Sequence, residues 1–102
     1  MNVSNLQLQG LYLAIAAINN ALVAKGVLSR EEIDLALQRA EQTALGDDRL
    51  VEDMSSASRD AVAFPARLLM LANNSASETE IATFSELAKL VGQTKGRYPD
   101  EV

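Results

Sequence analysis

The chain reads GVLSREEIDLAL over residues 26–37, and this stretch separates two helices. Gly26 supplies the left-handed backbone position that commonly closes a helix. Ser29 and Glu32 follow the capping-box pattern, in which each side chain accepts a hydrogen bond from the backbone amide of the other residue. The stretch therefore predicts a short turn between two neighbouring helices that run antiparallel, the second of them starting at Arg30.

The segment before this turn, residues 4–25, has the apolar spacing of a helix with two faces. Its larger aliphatic side chains share one face, which we assign to the core: Leu8, Leu11, Ile15, Ile18 and Leu22. A second stripe is mostly small: Leu6, Gly10, Leu13, Ala14, Ala17, Ala21 and Ala24. A helix that is apolar on two sides usually has two neighbours.

We expect the second stripe to form a homodimer interface, because a small domain gains apolar burial from a symmetric partner. The alternative is that both faces pack against helices of the same bundle, as they commonly do in bundle proteins.

The remaining sequence predicts three more helices. The second covers residues 30–45 and ends at Gly46, and the third covers about residues 55–73. Pro65 lies inside the third helix, where it removes a backbone donor, so we expect a kink or a break there, with Phe64 buried beside it. The fourth is predicted to start at a second capping-box pattern at Ser77 and to end at Gly92. We predict an all-α fold, a small four-helix bundle of antiparallel helices over residues 1–92, with a loosely ordered tail at 93–102.

Composition argues against several classes of function. The chain has no cysteine and no histidine, so it lacks the ligands of zinc, copper and iron-sulfur sites and the common nucleophile-base pairs. Its net charge of −5 opposes nonspecific contact with nucleic acid and anionic lipid. The apolar run at residues 11–18 is shorter than a membrane span, and no basic segment indicates an export signal. We expect a cytoplasmic protein without a cofactor and without a membrane partner.

Two groups of charged side chains are candidate sites. Carboxylates cluster between the second and third helices, where they could bind Mg²⁺ or Ca²⁺ through oxygen ligands: Asp47, Asp48, Glu52 and Asp53. They lack the spacing of a calcium loop, so a solvated acidic turn explains them more simply. Three side chains of the third helix could form an anion pocket or pair with carboxylates: Arg59, Asp60 and Arg67. A carboxylate-dependent metal-binding protein or enzyme is therefore one alternative function.

The segment FSELAKLVGQTK at residues 84–95 resembles the opening of a helix-turn-helix in bacterial repressors, where a Leu-Ala helix reaches a glycine turn. The resemblance implies a DNA-associated regulator whose recognition helix would follow Gly92. Only ten residues remain there, and Gly96 and Pro99 interrupt them. We therefore predict a non-catalytic helical protein that acts through protein-protein contact, with itself as a homodimer or with another protein. DNA-associated and carboxylate-dependent functions are the alternatives.

Overall fold

A computed structural model of the chain describes residues 3–46, 56–77 and 79–94. Over these ranges the chain forms four helices: α1 (Val3–Ala24), α2 (Arg30–Leu45), α3 (Ser56–Ser75) and α4 (Phe84–Thr94). No strand occurs in the described ranges, so the prediction of an all-α fold is confirmed.

The turn between α1 and α2 has the predicted chemistry. Ser29 Oγ accepts from the Glu32 backbone amide at 3.0 Å, and the Ser29 amide donates to Glu32 Oε1 at 2.8 Å. Gly26 has a φ of +75°, the left-handed conformation that favours glycine. The capping box at the start of α2 is therefore confirmed.

The third helix continues through Pro65 from Ser56 to Ser75. The structure thus has one helix where the sequence left open two short ones, and a bend at Pro65 stays a prediction. Packing of the flanking turns offsets the missing backbone donor, because Ala63, Ala66 and Leu68 are all buried.

The residue that caps the start of the fourth helix is Thr83, six residues later than the predicted cap at Ser77. Ser77 Oγ accepts from the Glu80 amide at 3.1 Å, and the Ser77 amide donates to the Glu80 carbonyl at 3.0 Å. These bonds close a turn rather than start a helix. The helix starts after Thr83, whose Oγ1 accepts from the Glu86 amide at 3.2 Å and whose amide donates to Glu86 Oε1 at 3.2 Å. Hydrogen bonds from the Thr83 side chain and backbone hold the pKa of Glu86 below its usual 4.5.

The predicted stop of α4 at Gly92 is also wrong. The helix extends to Thr94, so the residue expected to end it lies two residues inside. The proposed boundary between domain and tail at residue 92 falls within this helix.

The core is organised around α3, which packs against α1, α2 and α4, while α1 also contacts α4. The predicted α1-α2 hairpin is therefore joined mainly through α3. Six of the buried apolar residues form one core cluster: Ala16, Leu68, Leu69, Ala72, Leu87 and Val91. Three half-buried aromatic rings extend it, with Tyr12 stacked on Phe84 at 5.9 Å and edge-on to Phe64 at 6.0 Å between centroids.

Candidate functional site

The side of α1 that faces away from the domain is apolar and exposed. Leu11 is 53% exposed and Ile18 is 60% exposed. The exposed residues between and beside them are largely small or aliphatic, and we call this set the outward face of α1: Val3, Gly10, Leu11, Ala14, Ala17, Ile18 and Ala21. No charged residue occurs anywhere in Val3–Ala24. A contiguous exposed apolar surface is typical of a contact site.

This orientation corrects the predicted core face of α1. Leu8, Leu11 and Ile18 are exposed, whereas Ile15 and Leu22 of the same set are half-buried. The buried position at the centre of the helix is instead Ala16. The helix is thus turned so that several of its largest aliphatic side chains face water.

The inward side of α1 carries polar side chains, which explains the orientation. Asn20 is only 8% exposed. Its Nδ2 donates to the Ser77 carbonyl at 3.0 Å, and its Oδ1 accepts from Arg30 Nη2 at 3.1 Å. A buried amide is tolerated when its hydrogen bonds are made inside the protein. Asn20 therefore fixes α1 to the start of α2 and to the loop that precedes α4.

The same end of the bundle contains a wider polar network. Arg30 Nη1 donates to the Asn73 carbonyl at 2.7 Å, and Asn73 Nδ2 donates to the Arg30 carbonyl at 3.0 Å. Asn73 Nδ2 also donates to Asp34 Oδ1 at 2.8 Å, and Asn74 Nδ2 donates to both carboxylate oxygens of Asp34 at 3.1 and 3.0 Å. Arg30 also lies at the carbonyl end of α3, where a cation is favourable. These bonds join the start of α2 to the end of α3, and the bond between Asn20 and Arg30 connects α1 to the same network.

The predicted interface residues mostly lie on the exposed surface of α1. Six of the seven are exposed: Leu6, Gly10, Ala14, Ala17, Ala21 and Ala24. Leu13 is half-buried and packs against the core cluster. The available contact surface is therefore centred nearer to Leu11 and Ile18 than the sequence predicted.

The charged side chains of α3 form a buried ion-pair cluster. Arg67 is 2% exposed, and its Nε donates to Glu41 Oε2 at 2.6 Å. Its Nη1 lies 3.5 Å from Asp60 Oδ1, and Arg59 beside it is half-buried. Two carboxylates therefore share the Arg67 guanidinium, whereas the buried Nε of Arg59 has no hydrogen-bond partner among the described residues.

An open groove of about 460 Å³ adjoins this cluster, between α3 and the end of α4. Its lining is mostly apolar: Asp60, Ala61, Phe64, Arg67, Ala88, Val91 and Gly92. Arg67 at its edge is committed to the ion pair with Glu41, which joins α2 to α3, and to the ion pair with Asp60 within α3, so we interpret its role as structural.

The candidate metal ligands Asp47, Asp48, Glu52 and Asp53 lie outside the described residues. Within the ranges that are described, no group of three or more carboxylates is placed to hold a metal ion.

One helix in the described part of the chain, α1, is long and apolar enough to cross a membrane by length and composition. The apolar run at residues 11–18 is too short for a span, whereas the uncharged polar residues of α1 let the whole helix meet this criterion. It is weak evidence for a membrane span, since core helices and signal sequences meet it as well.

Comparisons with protein-family models, with curated proteins and with solved structures found no match for this chain.

Proposed function

We propose that this protein is a non-catalytic helical protein that acts through protein-protein contact and forms a homodimer through the outward face of α1. The observation that supports this proposal is the exposure of Leu11 and Ile18 on a helix without a single charge. The other elements of the proposal are an antiparallel arrangement of the four helices, which short connections favour, and a bend of α3 at Pro65.

Large aliphatic side chains of α1 are left exposed to water and would gain free energy by burial. Complete burial of an exposed leucine or isoleucine contributes roughly 1.5–3 kcal/mol. Leu11 and Ile18 are already about half covered, so each would add about 1 kcal/mol on contact with a partner. Two copies double this gain, and it must offset the lost freedom of association, which costs several kcal/mol. We therefore expect a weak dimer whose population depends on protein concentration.

A membrane is a less favourable partner for the same face. Helices that lie on membranes carry Lys or Arg on their polar side, whereas α1 has none. The polar side of α1 is also occupied, because Asn20 is hydrogen-bonded to Arg30 and to the Ser77 carbonyl. Insertion across a bilayer would break these bonds. A second copy of the chain can cover the outward face with the bonds intact.

The test compares two variants with the same change in charge. Ile18→Glu places a carboxylate on the outward face, and Gln38→Glu places one at an exposed position of α2. Light scattering after size exclusion, at matched high micromolar concentrations, should show a dimer for the wild type and Gln38→Glu and a monomer for Ile18→Glu. Circular dichroism should show equal helicity in all three.

A wild-type mass of 11.0 kDa at every concentration would contradict the proposal. If Ile18→Glu and Gln38→Glu dimerise equally, the dimer interface does not lie on the outward face of α1. Co-sedimentation of the wild type with neutral or anionic vesicles, abolished by Ile18→Glu, would assign the face to lipid instead.

A further inference from the structure

We infer that two copies pair their α1 helices antiparallel, with Leu11 against the partner's Ala21 and Ile18 against the partner's Ala14. This inference depends on the proposed homodimer and specifies its geometry.

The outward side of α1 and the residue that follows it present a continuous seam of six exposed positions: Gln7, Leu11, Ala14, Ile18, Ala21 and Lys25. The intervals between them alternate between four and three residues. This alternation keeps side chains on the line along which two packed helices meet. The seam is apolar in its middle, and its polar residues are confined to the two ends.

Large and small side chains alternate along the middle of the seam. An antiparallel pair that matches the six positions in opposite order sets Leu11 against the partner's Ala21 and Ala14 against the partner's Ile18. Each layer then contains one large and one small side chain, which is the arrangement that interdigitates at constant helix separation. A parallel pair would place leucine on leucine and alanine on alanine, so adjacent layers would require different separations.

The ends of the seam specify the same orientation and the register. Antiparallel matching brings Lys25 opposite the partner's Gln7, and an amide oxygen can accept a hydrogen bond from an ammonium group. A parallel pair would bring two Lys25 ammonium groups together. A shift of the antiparallel pair by seven residues would set Gln7 against the partner's Ile18 and Ala21 against the partner's Ser4, so that two apolar side chains face polar ones.

The size of the seam predicts the strength of the contact. A helix of 22 residues is about 33 Å long and about 12 Å wide with side chains. One face therefore offers on the order of 400 Å² per copy, or about 800 Å² for the pair, from these dimensions. Standard interfaces bury at least about 1,200 Å². The contact suits a weak dimer of two copies, in which alanines let the helices approach closely.

Disulfide trapping distinguishes the two orientations, and the chain has no cysteine of its own. Leu11→Cys and Ala21→Cys are purified separately, mixed in equal amounts and oxidised mildly. A disulfide requires Cα atoms about 4.4–6.8 Å apart. In the antiparallel pair the two Leu11 positions are separated by ten residues, about 15 Å, along the helix axis. We therefore expect the mixed Leu11→Cys–Ala21→Cys disulfide to dominate in the mass spectrum.

Ile18→Cys mixed with Ala14→Cys should give the same result, which covers the case in which one variant of the first pair does not fold. Gln38→Cys, exposed on α2, measures the yield from random collisions. Predominance of disulfides between identical variants would overturn the antiparallel inference and leave the dimer intact. A dimeric mass without cross-linking above the Gln38→Cys yield would also overturn only the inference. A monomeric mass together with cross-linking no higher than that of Gln38→Cys would overturn the inference and the proposed homodimer together.

Discussion

Replacement of Asn20 by alanine tests why α1 presents its apolar side to water. The change removes an acceptor of Arg30 Nη2 at 3.1 Å and a donor to the Ser77 carbonyl at 3.0 Å. A hydrogen bond to a charged group contributes about 1.5–3 kcal/mol, and a neutral one about 0.5–1.5 kcal/mol. Arg30 is half-buried and can partly rehydrate, so we expect Asn20→Ala to lose about 2–3 kcal/mol of unfolding free energy.

Asn19→Ala is the matched control for this experiment. Asn19 is half-buried on the same helix, and both substitutions gain the same helix propensity. The difference between the two variants therefore isolates the bonds of Asn20. Urea unfolding followed by circular dichroism should give Asn20→Ala a lower free energy of unfolding than Asn19→Ala. Thermal unfolding should give Asn20→Ala a Tm lower by about 10 °C or more. Equal stability of the two variants would refute the claim that Asn20 holds the orientation of α1.

Three further predictions concern stability. Ser29→Ala should cost about 1 kcal/mol, because the helix loses its accepting side chain; unchanged thermal unfolding would count against the capping role of Ser29. Phe64→Ala should cost about 3 kcal/mol, at the low end for phenylalanine because the ring is half-buried; a loss below 1 kcal/mol in chemical denaturation, about that of a typical surface change, would show that the aromatic cluster adds little. Because the pKa of Glu86 is lowered in the folded protein, its ionised carboxylate stabilises the fold at pH values above the ordinary carboxyl pKa. This stabilisation is lost as pH falls through the lowered pKa. Tm measured against pH should therefore fall more steeply for the wild type than for Glu86→Gln at acidic pH, and parallel curves would disprove this contribution.

The helices were predictable from the sequence where the signals are local. The capping box at Ser29 and Glu32 involves residues three apart, and the structure has it as predicted. The start of α4 shows the limit of such signals, because Ser77 and Thr83 both precede a glutamate by three residues. Contacts distant in sequence distinguish them, since a helix that starts after Thr83 lets Phe84 stack on Tyr12.

The orientation of α1 could not be predicted from its spacing alone. The apolar residues cover most of its circumference, so the periodicity permits more than one buried face. The choice depends on the partners of Asn20, which lie 10 and 57 residues away along the chain. Asparagine usually faces solvent, so Asn20 was expected on the outside of the bundle. Leu11 and Ile18, on the opposite side of α1, were therefore predicted to lie in the core.

The ion pair between Arg67 and Glu41 was missed for a similar reason. It is shorter than the pair between Arg67 and Asp60, and Glu41 lies 26 residues earlier on another helix. A sequence pattern indicates that an arginine on a helix can pair, but it does not identify a partner that only the packing of α2 on α3 supplies.

The mass of the wild-type protein in solution tests the central claim most directly. Sedimentation equilibrium from low to high micromolar concentration should show the average mass rising from 11.0 kDa toward twice that value. The rise should be absent in Ile18→Glu and retained in Gln38→Glu. A wild-type mass that stays at 11.0 kDa over the whole range would contradict the account.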